Sequence, residues 1–237
     1  MRAFKIQKIR SDIYLVTEPY FYEHANLYLV KGKGYDLLID CGLGIFNVKE
    51  FLQKKGFRPK VFLTHSHFDH AGGIKHFLPS EILAIRGVLS NLKRKEFWGL
   101  DYLKQEFFDK MILKRLTNKT PRRICSEFAI SVPPNVQPLA KKTLKVGKYN
   151  FKILPTPGHT DDSVILYDSK NKLIIAGDAL YDGEIYNSFS NSNDDKFKAS
   201  LNSIKNLDFK LLLPGHNKAL NKTLAKKVIS DWTAQLT

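Results

Sequence analysis

The sequence predicts an α/β protein in which two sheets pack face to face beneath helices. This is a four-layer αββα sandwich with a helical insert at about residues 84–148. Three observations lead there. Two strand-rich halves flank a segment of different texture. That middle segment is helical in pattern and strongly basic. Histidines and aspartates collect where predicted strands end. In a layered α/β fold such loops gather along one edge, where sites are built. No internal repeat or linker divides the 237 residues, so 1–237 reads as one domain.

In the first half, residues 13–17 (IYLVT), 27–31 (LYLVK) and 37–40 (LLID) are short and rich in β-formers. Turn residues such as Gly32 and Gly34 separate them. A helix is expected over 48–55, with Asn47 as N-cap, Glu50 three residues on and Gly56 at its end. Residues 61–64 (VFLT) read as a buried strand running into a histidine cluster. From 91 to 116 the pattern is helical: Leu92, Trp98, Tyr102, Leu103, Phe107 and Met111 recur at helical spacings with Lys and Arg between them. Pro121, Pro133, Pro134 and Pro138 interrupt the chain beyond it. Strands return at 149–154, 164–168, 173–176 and 211–213. Helices are expected at 195–206 and from 218 to near Trp232.

Composition narrows the class. Hydrophobic residues make up 43% and charged residues 26%, as in ordinary globular proteins. The opening MRAFKIQKIR lacks the apolar run of a signal peptide. No run reaches the ~20 apolar residues of a membrane span, so the expectation is a soluble, cytoplasmic protein. Cys41 and Cys125 have no metal-binding spacing and read as two inert thiols, with a disulfide disfavoured in that compartment. The formal net charge is +15, and residues 84–148 carry +10 of it, with 15 Lys/Arg against 5 Asp/Glu. Such a surface suits an anionic partner: nucleic acid, a membrane surface or a phosphorylated small molecule.

The stretch THSHFDHAGG places His65, His67, Asp69 and His70 within six positions, a density that neither a core strand nor a plain loop needs. His65 and His67, two apart in extended chain, point the same way. Gly72 and Gly73 are read as letting the chain turn tightly into a helix. His159 in PTPGHTDDS and His216 in LLPGHNK each follow a Pro-Gly turn after a predicted strand, and Asp178 in IIAGDALY sits at another strand end. Two divalent cations about 4 Å apart need two donor clusters and an anionic bridge. His65, His67 and His159 make one set; Asp69, His70 and His216 make the other; Asp178 is placed to bridge them. A lone histidine is more often structural, and His24 and His76 are assigned to that class.

These residues resemble the metallo-β-lactamase superfamily: THSHFDHAGG, then PGHT, GD and PGH in that order, from LLIDCG to LLPGH. The resemblance implies the αββα fold and a site for two metal ions, usually zinc, with iron or manganese as alternatives. It implies that His65, His67 and His159 hold one metal, that Asp69, His70 and His216 hold the other, and that Asp178 bridges them. Asp40 in LLIDCGLG then lies behind the site, orienting a ligand histidine. Within the superfamily, HANLYLVKG, LLIDCGLG and AGDALYDGEIY are most similar to the acyl-coenzyme A thioesterase-like members.

The expected activity is therefore hydrolysis of a thioester or ester, with acyl-coenzyme A as a candidate, by a hydroxide generated at a two-metal site. Asp69 is expected to hold that hydroxide. Tyr181, three residues after Asp178, is expected to reach the substrate carbonyl, by resemblance to N-acyl homoserine lactonases. The partner is a small molecule, anionic in keeping with the charge. A lactonase is the nearest alternative. A glyoxalase II-like thioesterase is less favoured, because only 21 residues follow His216 where such enzymes add a glutathione-binding helical domain. A nuclease would share the metal site and suit the charge, but no separate nucleic-acid module is visible. Iron-dependent persulfide oxidation remains chemically open, since N/O ligands do not select zinc alone. A non-catalytic binding protein is disfavoured because no ligand position has been lost.

Overall fold

A computed structural model describes residues 3–22 and 24–236. Its first sheet comprises β1 (Lys5–Arg10), β2 (Ile13–Thr17), β3 (Leu27–Val30), β4 (Asp36–Ile39), β5 (Pro59–Phe62) and β6 (Ile82–Leu83), side by side in that order. The second comprises β7 (Thr143–Val146), β8 (Tyr149–Pro155), β9 (Val164–Asp168), β10 (Leu173–Gly177), β11 (Leu211–Pro214) and β12 (Leu220–Asn221), again in sequence order. Most neighbours pair antiparallel. The exceptions are β4–β5, β5–β6 and β10–β11, which run parallel.

Alternation along the strands explains the four layers. Tyr28 and Val30 of β3, Leu37 and Ile39 of β4, Leu166 of β9 and Ile175 of β10 share one interior cluster between the sheets. The intervening Leu29, Leu38 and Val61 face a second cluster that includes Val48 and Leu52 of α1 (Val48–Gln53). On the far side, Ile165, Ile174 and Ala176 face α6 (Asp194–Asn206) and α7 (Lys222–Gln235), through Phe197, Leu201, Ile229 and Trp232. The expected αββα sandwich is the observed fold.

Caps agree with local expectation. Asn47 Oδ1 accepts from Glu50 N at 3.0 Å, and Asn193 and Asn221 cap α6 and α7 in the same way. Helix α7 starts at Lys222 rather than 218, because Leu220–Asn221 pairs with β11 as β12. Strand β1, unmarked in the sequence, forms as the exposed edge beside β2.

The insert departs most from expectation. Residues 91–116 are not one helix. After α3 (Arg86–Asn91) come three 3-10 turns, Lys95–Phe97, Leu100–Tyr102 and Gln105–Phe107, and only then α4 (Lys110–Thr117) and α5 (Pro121–Glu127). Gly99 sits at φ +70°, which breaks any helix there. Main-chain groups of the segment bond outward instead: Trp98 O accepts from Phe68 N at 2.9 Å, and Phe107 O accepts from Tyr22 N at 2.8 Å. The spacing that mimicked a helix buries Leu92 and Trp98 but leaves Met111 85% exposed. The insert also ends earlier than 148, since Thr143–Val146 is strand β7. Among the described residues, no helix is long and apolar enough to cross a membrane, and Cys41 and Cys125 are free thiols.

Candidate metal centre

Strand direction brings the donors to one edge. The C-terminal ends of β4, β5, β8, β10 and β11 deliver Asp40, the run 65–70, His159, Asp178 and His216 in turn. Bonds between the two sheets fix this edge. Val164 N donates to Thr64 O at 3.0 Å, Asn26 N donates to Gly215 O at 2.6 Å, and Tyr28 Oη donates to Pro214 O at 2.9 Å.

Seven side chains converge there in two groups. His65, His67, His159 and Asp178 form one, and Asp69, His70 and His216 the other; within each group the donor atoms lie within 4.8 Å of one another. His67 Nδ1 is 3.0 Å from His159 Nε2, and His159 Nε2 is 3.5 Å from Asp178 Oδ2. In the second group, His70 Nε2 is 3.4 Å from His216 Nε2 and 3.5 Å from Asp69 Oδ2. Ligands at ordinary zinc–nitrogen distances around a tetrahedral ion stand about 3.4 Å apart, so the spacing suits a shared cation. Asp178 touches both groups, with Oδ1 3.2 Å from His70 Nε2 and Oδ2 3.3 Å from His216 Nε2.

Hydrogen bonds aim the rings. His70 Nδ1 donates to Asp40 Oδ2 at 2.7 Å, and His159 Nδ1 donates to the Tyr186 carbonyl at 2.6 Å, turning each Nε2 toward the centre. His65 Nδ1 lies 3.0 Å from Thr64 Oγ1, which itself donates to Asp40. The opposite atom, His65 Nε2, is buried with no hydrogen-bond partner among the described residues. An orphaned imidazole nitrogen facing a carboxylate is what a metal ligand leaves when considered alone.

Electrostatics point the same way. Burial pushes the imidazoles of His65, His67 and His159 below the usual range, which keeps them in the neutral, ligating form. Burial also opposes charge on His70 and His216, but Asp178 and Asp69 outweigh it. His70 is held well above its usual range and His216 is raised to about 10. Burial would raise the Asp178 and Asp69 carboxyls, yet His70 and His216 keep both low. The second group is thus a place where carboxylates demand positive charge.

Five of the donors, His67, Asp69, His159, Asp178 and His216, floor a cleft of about 440 Å³. Tyr181 is buried in its wall, its ring 5.6 Å from that of His216. Burial first, and the Asp178 charge second, push its phenol far up, so it stays a proton donor. His76 is structural, facing Gly44 O at 3.3 Å. His24, also assigned a structural role from sequence, lines the cleft while its Nδ1 is held by Phe21 O. Gly72 and Gly73 serve close approach rather than a tight turn, for a Cβ on either would strike the carbonyls of Leu43 and Cys41.

The sequence expectation that the apolar face of the insert, Tyr102 and Phe107 included, covers the metal edge agrees with both residues lining the cleft; Tyr186 and Phe189 were not anticipated. Tyr102 from the insert meets Tyr186 at 5.5 Å and Phe189 at 5.0 Å, and Phe189 packs 4.2 Å from the His67 ring. The aromatic spacing of 91–116 was the available signal, but it pointed to a helix. Lys93, Arg94 and Lys95, which the sequence offered as partners for the phosphates of a coenzyme A substrate, do not line this cleft. Lys93 and Lys95 border a different one with Arg86, and Arg94 pairs with Glu96 at 2.9 Å.

Comparison with known proteins agrees with this geometry. The chain is 29% identical over 236 residues to a Gallus gallus protein named acyl-coenzyme A thioesterase MBLAC2, covering 90% of this chain and 80% of that one. A solved metallo-beta-lactamase family protein from Thermus thermophilus superposes with a TM-score of 0.71 at 21% identity, covering 96% of this chain and 80% of that one. A further solved structure, described as a di-iron-bound form, superposes with a TM-score of 0.60 at 22% identity over 86% of this chain and 93% of its own. The family profile described as the metallo-beta-lactamase superfamily matches residues 22–216, from the rim of the cleft to the last of the seven donors, and on that match this chain belongs to the metallo-beta-lactamase superfamily.

Proposed function

We propose that the protein is a metal-dependent hydrolase of acyl thioesters, with an acyl-coenzyme A as the model substrate. The observation that carries this reading is the pair of donor groups meeting at Asp178 on the floor of a ring-walled cleft. The relative named an acyl-coenzyme A thioesterase supports the choice of bond. His65, His67 and His159 would hold one ion, Asp69, His70 and His216 the other, and Asp178 would touch both. When bound, two divalent cations, zinc first with iron or manganese as alternatives, lower the pKa of water toward neutrality and polarise an acyl oxygen.

The side chains supply the rest. Asp69, held ionised, accepts a hydrogen bond from the attacking water and fixes its direction. Tyr181 keeps its proton and donates a hydrogen bond from its phenol to the acyl oxygen as charge builds there. The Tyr186 carbonyl and Asp40 keep His159 and His70 from turning. A thiolate leaves without protonation, since a thiol has a pKa of about 8.5, whereas an amide or alkoxide would require an acid. Tyr181, with its phenol pushed so far up, is a poor one. A single domain is supported by the interior that both sheets share, and a cytoplasmic location remains part of the proposal.

The test is metal analysis joined to a hydrolysis screen over acyl-coenzyme A, lactone and bis-phosphodiester substrates. About two ions per chain and fastest cleavage of the thioester are expected, and Asp178→Ala should lose metal and hydrolysis together. Fastest cleavage of a lactone or a phosphodiester overturns the thioester reading. An Asp178→Ala variant with full metal and full activity overturns the bridge.

A further inference from the structure

The insert holds a concentration of positive charge that the chemistry at the metal floor does not use. Helices α4 and α5 and the turn before them line a small cavity of about 290 Å³, formed by Gln105, Lys110, Lys114, Thr120, Pro121 and Arg122. Three of those six side chains are cations and none is an acid. Lys110 and Lys114 stand four residues apart on α4, so they share a face and repel one another. Arg122 joins them from α5. Neighbouring cations are answered, since Glu127 pairs with both Lys119 and Arg123. Among the described residues, no carboxylate pairs with Lys110, Lys114 or Arg122. The cavity also adjoins the metal cleft: within the single turn Gln105–Phe107, Gln105 lines the first and Phe107 the second.

Repelling cations gathered around one hollow lower the stability of α4 unless an anion joins them. A phosphate group suits the place, because its oxygens accept from ammonium and guanidinium together, and Gln105 adds an amide donor. The cleft bordered by Arg86, Lys93 and Lys95 is a weaker candidate, because its three cations are spread among fifteen lining residues that are mostly apolar. Resting on the acyl-hydrolase reading above, we propose that Lys110, Lys114 and Arg122 bind a phosphate of the coenzyme A moiety, at a subsite apart from the two metal ions. A coenzyme A thioester carries its phosphates at the far end of a long, uncharged pantetheine arm. With the thioester at the metal floor, the arm passes over the 105–107 turn and ends among the three cations.

The experiment separates binding from hydrolysis. The metal-loaded protein is titrated with S-hexyl-coenzyme A, a thioether that cannot be hydrolysed, and with S-hexyl-N-acetylcysteamine, which shares the alkyl end but has no phosphate. Cleavage of the hexanoyl thioesters of both carriers is measured alongside. The coenzyme A thioether should bind about tenfold more tightly than its partner, and less so as salt rises. Joint Lys110→Gln, Lys114→Gln and Arg122→Gln substitution should abolish that advantage and raise KM for hexanoyl-coenzyme A about tenfold, with the N-acetylcysteamine values unchanged. All three side chains are exposed, so the core is left intact, and circular dichroism verifies the fold. A control with Arg86→Gln, Lys93→Gln and Lys95→Gln removes equal charge elsewhere and should retain the advantage. An unchanged affinity in the first variant overturns the proposal, and an equal loss in both variants does so too, since a diffuse field would then be the cause. Phosphatidylserine vesicles and a single-stranded RNA serve as further probes. If the first variant loses either of these while keeping S-hexyl-coenzyme A, the cations belong to a lipid surface or a nucleic acid and the proposal falls. Thioether binding that depends on the three cations, with neither thioester cleaved, sustains the phosphate subsite and overturns the thioester reading. Cleavage of both thioesters with KM values that the first variant leaves unchanged sustains that reading and overturns the subsite.

Discussion

Asp40 accepts a hydrogen bond from the Nδ1–H of His70 at 2.7 Å, and through Thr64 Oγ1 the same carboxylate governs His65. One buried side chain therefore orients a ring in each donor group. Asp40→Ala should weaken the binding of both ions, by about 10–100-fold. Competition with a chelator of known affinity measures this, with zinc as the probe. Unchanged affinity, or a loss confined to one ion, would show that Asp40 does not serve both.

Tyr181→Phe removes the phenol and little else from a buried wall position. If the phenol reaches the acyl oxygen in the transition state, kcat and kcat/KM should fall together, by about 100-fold or somewhat less. A rise in KM alone would make Tyr181 a packing contact, and unchanged kinetics would remove it from the reaction.

Gly215 has no room for a methyl group. A Cβ there would collide with Asp178 Oδ1 and lie 2.8 Å from His70 Cε1. Gly215→Ala should therefore displace Asp178 or the His216 turn, and lower metal content while the circular dichroism of the sheets persists. A Gly215→Ala protein that retains two ions and full activity would show that the turn gives way freely.

Glu18 is buried behind the 42–43 turn, where its Oε2 accepts from Leu43 N at 2.9 Å. Burial raises its carboxyl from an ordinary 4.5 to about 8, against the pull of that hydrogen bond. The folded state thus holds the proton more tightly than the unfolded chain. Its contribution to stability is fully present below pH 4.5 and is lost as pH rises toward 8. The loss across that window is on the order of 4 kcal/mol. Glu18→Gln keeps the acceptor for Leu43 and has no proton to lose. In thermal melts from pH 5 to 8, the variant should gain steadily on the parent protein. Parallel Tm curves would mean that Glu18 ionises without cost.

The site was more legible in the sequence than its surroundings. His65, His67, Asp69 and His70 announce themselves because ligand chemistry packs polar rings into a few positions at a strand end, and His159 and His216 each follow a Pro-Gly turn. The inner strands of both sheets were legible for a similar local reason, since buried β-formers such as 164–168 have few other uses, whereas the edge strands β1, β6, β7 and β12 were not. The insert was not. Trp98, Tyr102 and Phe107 sit at helical spacings, but their places are set by partners far away in the chain: Phe68, Phe189 and Tyr22. Glu18 gave no signal either, because only the close approach of Gly42 and Leu43 makes it buried. Where long-range contacts decide, periodicity reports the wrong element.

Each sheet consists of consecutive strands, so most of its pairings join segments close in the chain and can form early. The donors are divided differently. His65, His67, Asp69 and His70 leave the first sheet, while His159, Asp178 and His216 leave the second. Neither donor group is complete within one half, so a half-folded chain has no place to capture an ion tightly. Metal affinity then belongs to the docked state alone and acts as a latch on the last step of assembly.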